Sequence, residues 1–238
     1  FMQAAIDGKP FVQQYPIDAD EPLFKKEISA TDLWKKIVHN AWKSAEPGVL
    51  FWDTILRESV PDCYADLGYR TVSTNPCGEI PLCPYESCRL LAINLYSYVV
   101  NPFKPDAYFD FDLFKKHVAL AQRIMDDIID LELEKIERIM AKIDSDPENE
   151  DVKHTESVLW QKIYKKSGQG RRTGVGITAE GDMLAALGLR YGTEEATEFA
   201  EKVHQTVALS AYRSSVEMAK ERGAFEVYDS EREKNNPF

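Results

Sequence analysis

Apolar residues recur mostly at helical spacing along this chain. Leu33, Trp34, Ile37, Val38, Ala41 and Trp42 follow Ser29 and Asp32, which predicts a helix capped at Ser29 and stopped by Pro47-Gly48. Leu113, Phe114, Val118, Ala121, Ile124, Met125, Ile128 and Ile129 predict an amphipathic helix over Asp110–Ile129. Its helical character extends to about Ile143, ahead of the charged break Asp144–Asp151, which reads as a solvated loop. Further helices are expected over His154–Lys166, Ala179–Leu187 and Thr193–Arg222, the last capped by Thr193 and ended by Gly223. Gly168-Gln-Gly170 reads as a turn.

The strand signals are short. Thr71–Asn75, Arg171–Ile177 and Ala224–Tyr228 are expected to be extended, and Leu90–Val100 fits either a strand or a buried helix. Residues 1–28, punctuated by Pro10, Pro16 and Pro22, read as loop with one short strand, and Glu58–Tyr69 reads as irregular. No internal repeat is visible. Many helices with short strands between them predict a helix-rich α/β fold.

The 238 residues allow one large domain or two small ones with a sizeable core. Twenty-nine basic against 40 acidic side chains leave a net charge of −11, which argues against bulk nucleic-acid binding and against an anionic membrane surface. No apolar run approaches the roughly 20 residues of a membrane span. Phe1–Tyr15 lacks a basic start and a long apolar run, so no signal peptide and a cytoplasmic location are expected. The chain opens on Phe1 and not on Met, as a fragment or a trimmed chain would.

The candidate chemistry lies in Ser73–Cys88, STNPCGEIPLCPYESC, which holds three of the four cysteines. Asn75, Cys77 and Glu79 are two apart, so on an extended segment an amide, a thiol and a carboxylate would face one way. The carboxylate can act as a base, the amide can orient a hydroxyl, and the thiol can act as nucleophile or radical carrier. Asn75-Pro76-Cys77-Gly78 is also an ordinary turn sequence, and a lone Asn-x-Cys-x-Glu is compatible with a turn of no function. Cys77, Cys83 and Cys88 lack the C-x₂₋₄-C spacing of a zinc site, and none of His39, His117, His154 and His204 adjoins them. Gly174 and Gly176 are followed by Ala179, but no acidic ribose partner is in place, so close packing explains them better than a dinucleotide.

Asn75-Pro-Cys-Gly-Glu79-Ile-Pro-Leu followed by Pro84-Tyr-Glu-Ser-Cys88 resembles the finger loop of ribonucleotide reductase catalytic subunits, most of all the class II, adenosylcobalamin-dependent branch. Pro47–Asp53, Ala92–Leu95 and Arg171–Leu187 agree in order and spacing, so the resemblance spans most of the chain. It implies that Cys77 becomes a thiyl radical that takes the ribose 3′-hydrogen and that Glu79 is the base for the 3′-hydroxyl. Asn75 would bind substrate hydroxyls, and Cys88 would be one half of the dithiol that reduces the 2′ position. Pro76 and Gly78 would complete the substrate-binding loop.

The resemblance further implies ribonucleotide substrates, nucleotide effectors, a thioredoxin-like dithiol reductant and a homodimeric parent, with deoxyribonucleotides for DNA synthesis as product. Residues 1–238 would form one piece of a ten-stranded α/β barrel, with the finger loop at about 73–88 and a helical elaboration at about 131–168. The barrel would be partial. No counterpart of the partner cysteine, the phosphate loop or the C-terminal cysteine pair is found, and the sequence stops mid-domain at Asn235–Phe238. Alone, such a piece would lack turnover. The family usually has Asn directly after the counterpart of Cys88, and this chain has Arg89. A class I large subunit and a non-catalytic nucleotide-binding homologue are the alternative readings.

Overall fold

The computed structural model describes residues 1–17 and 19–234, and the chain divides into two compact units, Phe1–Ile55 and Leu56–Phe238. Residues 235–238, where the resemblance places a mid-domain stop, lie outside the described residues.

The first unit opens with α1 (Met2–Ile6), then β1 (Pro10–Tyr15) and β2 (Phe24–Ser29), which pair antiparallel from Pro10↔Ser29 to Tyr15↔Phe24. The expected loop with one short strand is therefore a two-stranded hairpin. Its strands bury little, with only Phe11, Gln14 and Ile28 half-buried, so the alternation that marks a strand is faint. Gln14 Nε2 closes the connection by donating to Ile17 O at 2.6 Å and Ala19 O at 3.3 Å. Then follows α2 (Ala30–Ser44), where Ser29 Oγ accepts from Asp32 N at 3.2 Å, the cap the sequence predicts. This helix ends earlier than its proline, at Ala45 with φ of 60°. Next comes α3 (Trp52–Glu58).

The second unit starts at Leu56 within α3 and continues with a 3₁₀ turn, Val60–Leu67, closed by Gly68 at φ 86°. Next are β3 (Ser73–Thr74) and β4 (Pro81–Leu82), antiparallel, and β5 (Leu91–Asn94). A 3₁₀ turn, Leu95–Tyr98, leads into β6 (Val99–Val100), which pairs antiparallel with β7 (Tyr108–Phe109). Then come α4 (Phe111–Ser145), α5 (Glu150–Gly170) and β8 (Val175–Thr178). The chain continues through α6 (Glu180–Ala186), α7 (Glu194–Arg222) and α8 (Ser230–Lys234). Leu91–Asn94 of β5 lies parallel to Val175–Thr178 of β8, with two long helices in the connection. The architecture is a helix-rich α/β fold, and the described residues form no closed barrel.

The three long helices start on capping side chains. Asp110 Oδ1 accepts from Leu113 N, Asn149 Oδ1 from Asp151 N and Thr193 Oγ1 from Ala196 N. Phe114, Val118, Ala121, Met125 and Ile129 of α4 are buried, while Leu113 and Ile124 are 40% and 49% exposed, so the buried stripe is narrower than the apolar one. Phe114 and Val118 join Ile93, Leu95, Tyr98, Met183 and Val203 in the main core. Each fully buried large side chain there contributes about 1.5–3 kcal/mol. Ser214 of α7 donates to Ala119 O of α4 at 2.8 Å, and Arg222 pairs with Asp126 and Asp127.

Two local expectations are corrected. Gly168–Gly170 is the last turn of α5, which ends at Arg171 with φ of 42°. Gly170 serves proximity: a Cβ there would stand 2.8 Å from Tyr69 Cε1. Ala224–Tyr228 forms a turn, with Tyr228 N donating to Phe225 O at 3.0 Å, and pairs with no strand among the described residues. Its Phe225 and Val227 pack on Tyr64, Tyr69 and Cys83.

Candidate functional site

β3 and β4 form a short hairpin whose connection, residues 75–80, holds the candidate residues. Asn75 organises that connection. Its N–H donates to Ile80 O at 3.1 Å, its carbonyl accepts from Gly78 N at 3.0 Å, and its Oδ1 accepts from Ile80 N at 2.8 Å. Gly78 takes φ of 81°, a region open to glycine at little cost. The segment is thus a tight turn and not an extended run. Asn75 is 7% exposed and faces inward, while Pro76, Cys77 and Glu79 stand at the surface of the tip.

The four thiols divide by burial. Cys77 and Cys88 are exposed, Cys63 is half-buried and Cys83 is buried, and all four are free. Burial, then the neighbouring Glu86 carboxylate, pushes the Cys83 thiol up to about 11. Burial and then Glu233 likewise raise Cys63. The thiolate is the reactive form, so these two are structural and the accessible pair is Cys77 and Cys88. The turn places Cys77 and Glu79 at its surface and Asn75 within it, so the three do not face one way. Cys88 lies beyond β4 on the returning limb, and no disulfide joins it to Cys77.

A cavity of about 840 Å³ opens beside the hairpin. Glu79, Ile80 and Leu82 line it together with Tyr69, Arg172 and Tyr212, while Asn75, Cys77 and Cys88 are not in its wall. Two buried polar atoms of wall residues, Tyr69 Oη and Arg172 Nη1, have no hydrogen-bond partner among the described residues. The volume falls in the usual range for small-molecule sites, roughly 300–1,000 Å³.

Arg89, which in sequence only departs from the Asn usual in the family, is buried. Its guanidinium is held by Glu132 through Nε, by Ser167 Oγ at 2.7 Å and by Arg172 O at 3.1 Å. Ser87 Oγ donates to the other Glu132 oxygen at 2.6 Å. Glu86 pairs with Arg172 Nε at 2.9 Å and accepts from Cys83 N at 2.8 Å. Burial works against the charge on Glu132, but the hydrogen bonds from Arg89 and Ser87 outweigh it and hold the carboxyl below its ordinary value. No local pattern could have shown these partners, which lie 43 and 78 residues from Arg89.

Residues 3–237 match the family described as ribonucleotide reductase, barrel domain. A vitamin B12-dependent ribonucleoside-diphosphate reductase of Thermoplasma acidophilum is 36% identical over 210 residues, covering 88% of this chain and 23% of its own length. One of Mycobacterium tuberculosis is 31% identical over 206 residues, covering 86% of this chain and 25% of its own length. The solved class Id ribonucleotide reductase alpha subunit of Actinobacillus ureae superposes with a TM-score of 0.59 at 20% identity, covering 82% of this chain and 33% of that one. At that identity it speaks for the fold alone. The chain spans about a quarter of the length of the curated relatives it matches.

Proposed function

The chain belongs to the ribonucleotide reductase family through its barrel domain, and from that membership we propose that it carries the radical-bearing loop of a cobalamin-dependent enzyme reducing ribonucleotides for DNA synthesis. The observation that carries this reading is the tip itself. An exposed thiol stands on a turn pinned by Asn75, with a carboxylate two residues on in the wall of a ligand-sized cavity.

In this reading a sulfur-centred radical on Cys77 takes the 3′-hydrogen of the ribose. The C–H and S–H bonds are of similar strength, so the transfer can reverse. Glu79 takes the 3′-hydroxyl proton as general base. The 2′-hydroxyl leaves as water with a proton from a thiol. Two electrons come from a dithiol of which Cys88 is one half, and the dithiol ends as a disulfide. The dithiol's other hydrogen goes to C2′, the hydrogen held on Cys77 returns to C3′, and Glu79 gives its proton back to the 3′-oxygen. Asn75 Oδ1 is occupied by Ile80 N, so its Nδ2 is the atom left to meet a substrate hydroxyl.

The relatives named vitamin B12-dependent favour adenosylcobalamin as the radical source over a class I partner subunit. None of the four histidines lines the cavity, and His117 is taken up by Tyr98 Oη at 3.0 Å. We assign the contacts of the cobalamin mostly to residues outside this chain. The parallel pair β5 and β8 fits two strands of a ten-stranded barrel. Ribonucleotide substrates, nucleotide effectors, a thioredoxin-like dithiol reductant, a homodimeric parent and a cytoplasmic setting complete the proposal. No helix among the described residues is long and apolar enough to cross a membrane.

The test is deoxyribonucleotide formation by the full-length polypeptide with a dithiol, with and without adenosylcobalamin. Turnover that requires the cobalamin supports the reading. Turnover without it, given a radical-generating subunit, moves the protein to class I. No turnover under either condition leaves a nucleotide-binding homologue.

A further inference from the structure

We propose that Arg89 is a positioning residue: with Glu132 it clamps the limb on either side of Cys88 to helices α4 and α5 and so fixes where the Cys88 thiol stands. The role given to Cys88 rests on the reductase reading; the clamp itself does not.

The geometry is specific to the residues flanking that thiol. Ser87 and Arg89, two apart, reach the two oxygens of one carboxylate, Glu132, while Cys88 between them is exposed. Burial alternates along this limb, with Ser87 half-buried, Cys88 exposed and Arg89 buried. Holding positions 87 and 89 to Glu132 therefore turns Cys88 outward. The Arg89 side chain is only 4% exposed, and its remaining donors reach Ser167 of α5 and the Arg172 carbonyl. Three separate stretches of chain, in α4, in α5 and before β8, thus meet at one guanidinium. A planar fork is suited to that task and a lysine is not.

The same limb is braced at two further points. Glu86 is buried against Arg172, whose Nη2 also donates to Pro81 O at 3.1 Å. On the other side, Leu91 N donates to Gly174 O at 2.9 Å, and a Cβ on Gly174 would stand 2.4 Å from Arg89 O. These further braces are side-chain contacts before Cys88 and close backbone contact after it. A limb needed only to connect two strands has no call for a buried arginine shared among three stretches.

The test compares Arg89→Met, Arg89→Lys and Glu132→Gln with Lys142→Met, which removes an exposed ion pair at the far end of α4. Two quantities are read in the full-length polypeptide: amide hydrogen exchange at Cys83 and Leu91, whose N–H groups donate to Glu86 Oε2 and Gly174 O at the two ends of the limb, and kcat and KM separately. The clamp variants should speed exchange at Cys83 and Leu91 about tenfold while residues 75–80 change less than about threefold, with Arg89→Lys between wild type and Arg89→Met. Their kcat should fall about tenfold with KM within about threefold, and Lys142→Met should change neither.

Unchanged exchange in Arg89→Lys and Glu132→Gln would overturn the clamp even if Arg89→Met fails to fold. Faster exchange with unaltered kcat would overturn the positioning role, and so would equal loosening of the limb, the tip and α4. The reductase reading fails on a different result, undiminished activity in Cys77→Ser, and the exchange data would then still judge the clamp.

Discussion

Asn75 and Ile80 are joined twice, by Asn75 N to Ile80 O at 3.1 Å and by Ile80 N to Asn75 Oδ1 at 2.8 Å. The amide side chain thus closes the turn that presents Cys77. This separates two roles that a sequence motif merges. Asn75→Asp keeps an acceptor for Ile80 N and loses the Nδ2 donor. It should melt close to wild type yet lose most of its reductase activity. Asn75→Ala leaves Ile80 N without its side-chain partner and should cost about 1–3 kcal/mol by urea unfolding as well as activity. Full activity in Asn75→Asp would show that Nδ2 meets no substrate hydroxyl.

Gly174 and Gly181 should respond oppositely to alanine. A Cβ at Gly174 would meet Arg89 O at 2.4 Å, so β5 and β8 must part, at a cost of about 1–3 kcal/mol. A Cβ at Gly181, within α6, meets nothing within 4 Å and should stabilise by about 0.5–1 kcal/mol. Thermal melting of the two variants checks both signs.

Thiol labelling should be biphasic. At pH 8, Cys77 and Cys88 should react rapidly and Cys63 and Cys83 slowly, because burial raises the latter two thiols and the thiolate is the attacking form. Raising the pH toward 11 should bring in Cys83. Residue-resolved mass spectrometry of the alkylated chain reads the order, and a Cys83 as fast as Cys77 at pH 8 would contradict it.

The Glu132 clamp should weaken in acid. Its carboxyl titrates below its ordinary value of 4.5 in the folded chain, so its stabilisation is full above that value and is lost as pH falls through the lowered one. The stability difference between wild type and Glu132→Gln should therefore be largest near neutrality and shrink below about pH 4.5. Urea unfolding across that window measures it. A difference that stays constant down to pH 3 would mean the charge on Glu132 does not hold the limb.

What could be read from the sequence was local. Ser29 and Thr193 cap their helices as their positions suggest, and the buried stripe of α4 follows its apolar spacing. Gly174 is packed against backbone, as the absence of a ribose partner implied. The features that escaped depend on distant partners. Gly168–Gly170 looked like a turn because nothing nearby reveals Tyr69 against Gly170. The hairpin β1–β2 escaped because it pairs backbone while burying almost no side chains. Arg89 looked like a departure from a pattern, and only folding brings Glu132 and Ser167 to it. The turn at Asn75–Gly78 was legible, but not that Asn75 spends one of its amide atoms in holding it.

The most direct measurement of the central claim is deoxyribonucleotide formation by Cys77→Ser in the full-length polypeptide, with a dithiol and adenosylcobalamin supplied and folding verified by circular dichroism. Serine preserves the turn and removes the sulfur that carries the radical. The account predicts that wild type turns over and that Cys77→Ser forms no deoxyribonucleotide while keeping its fold. Undiminished product from Cys77→Ser would contradict it.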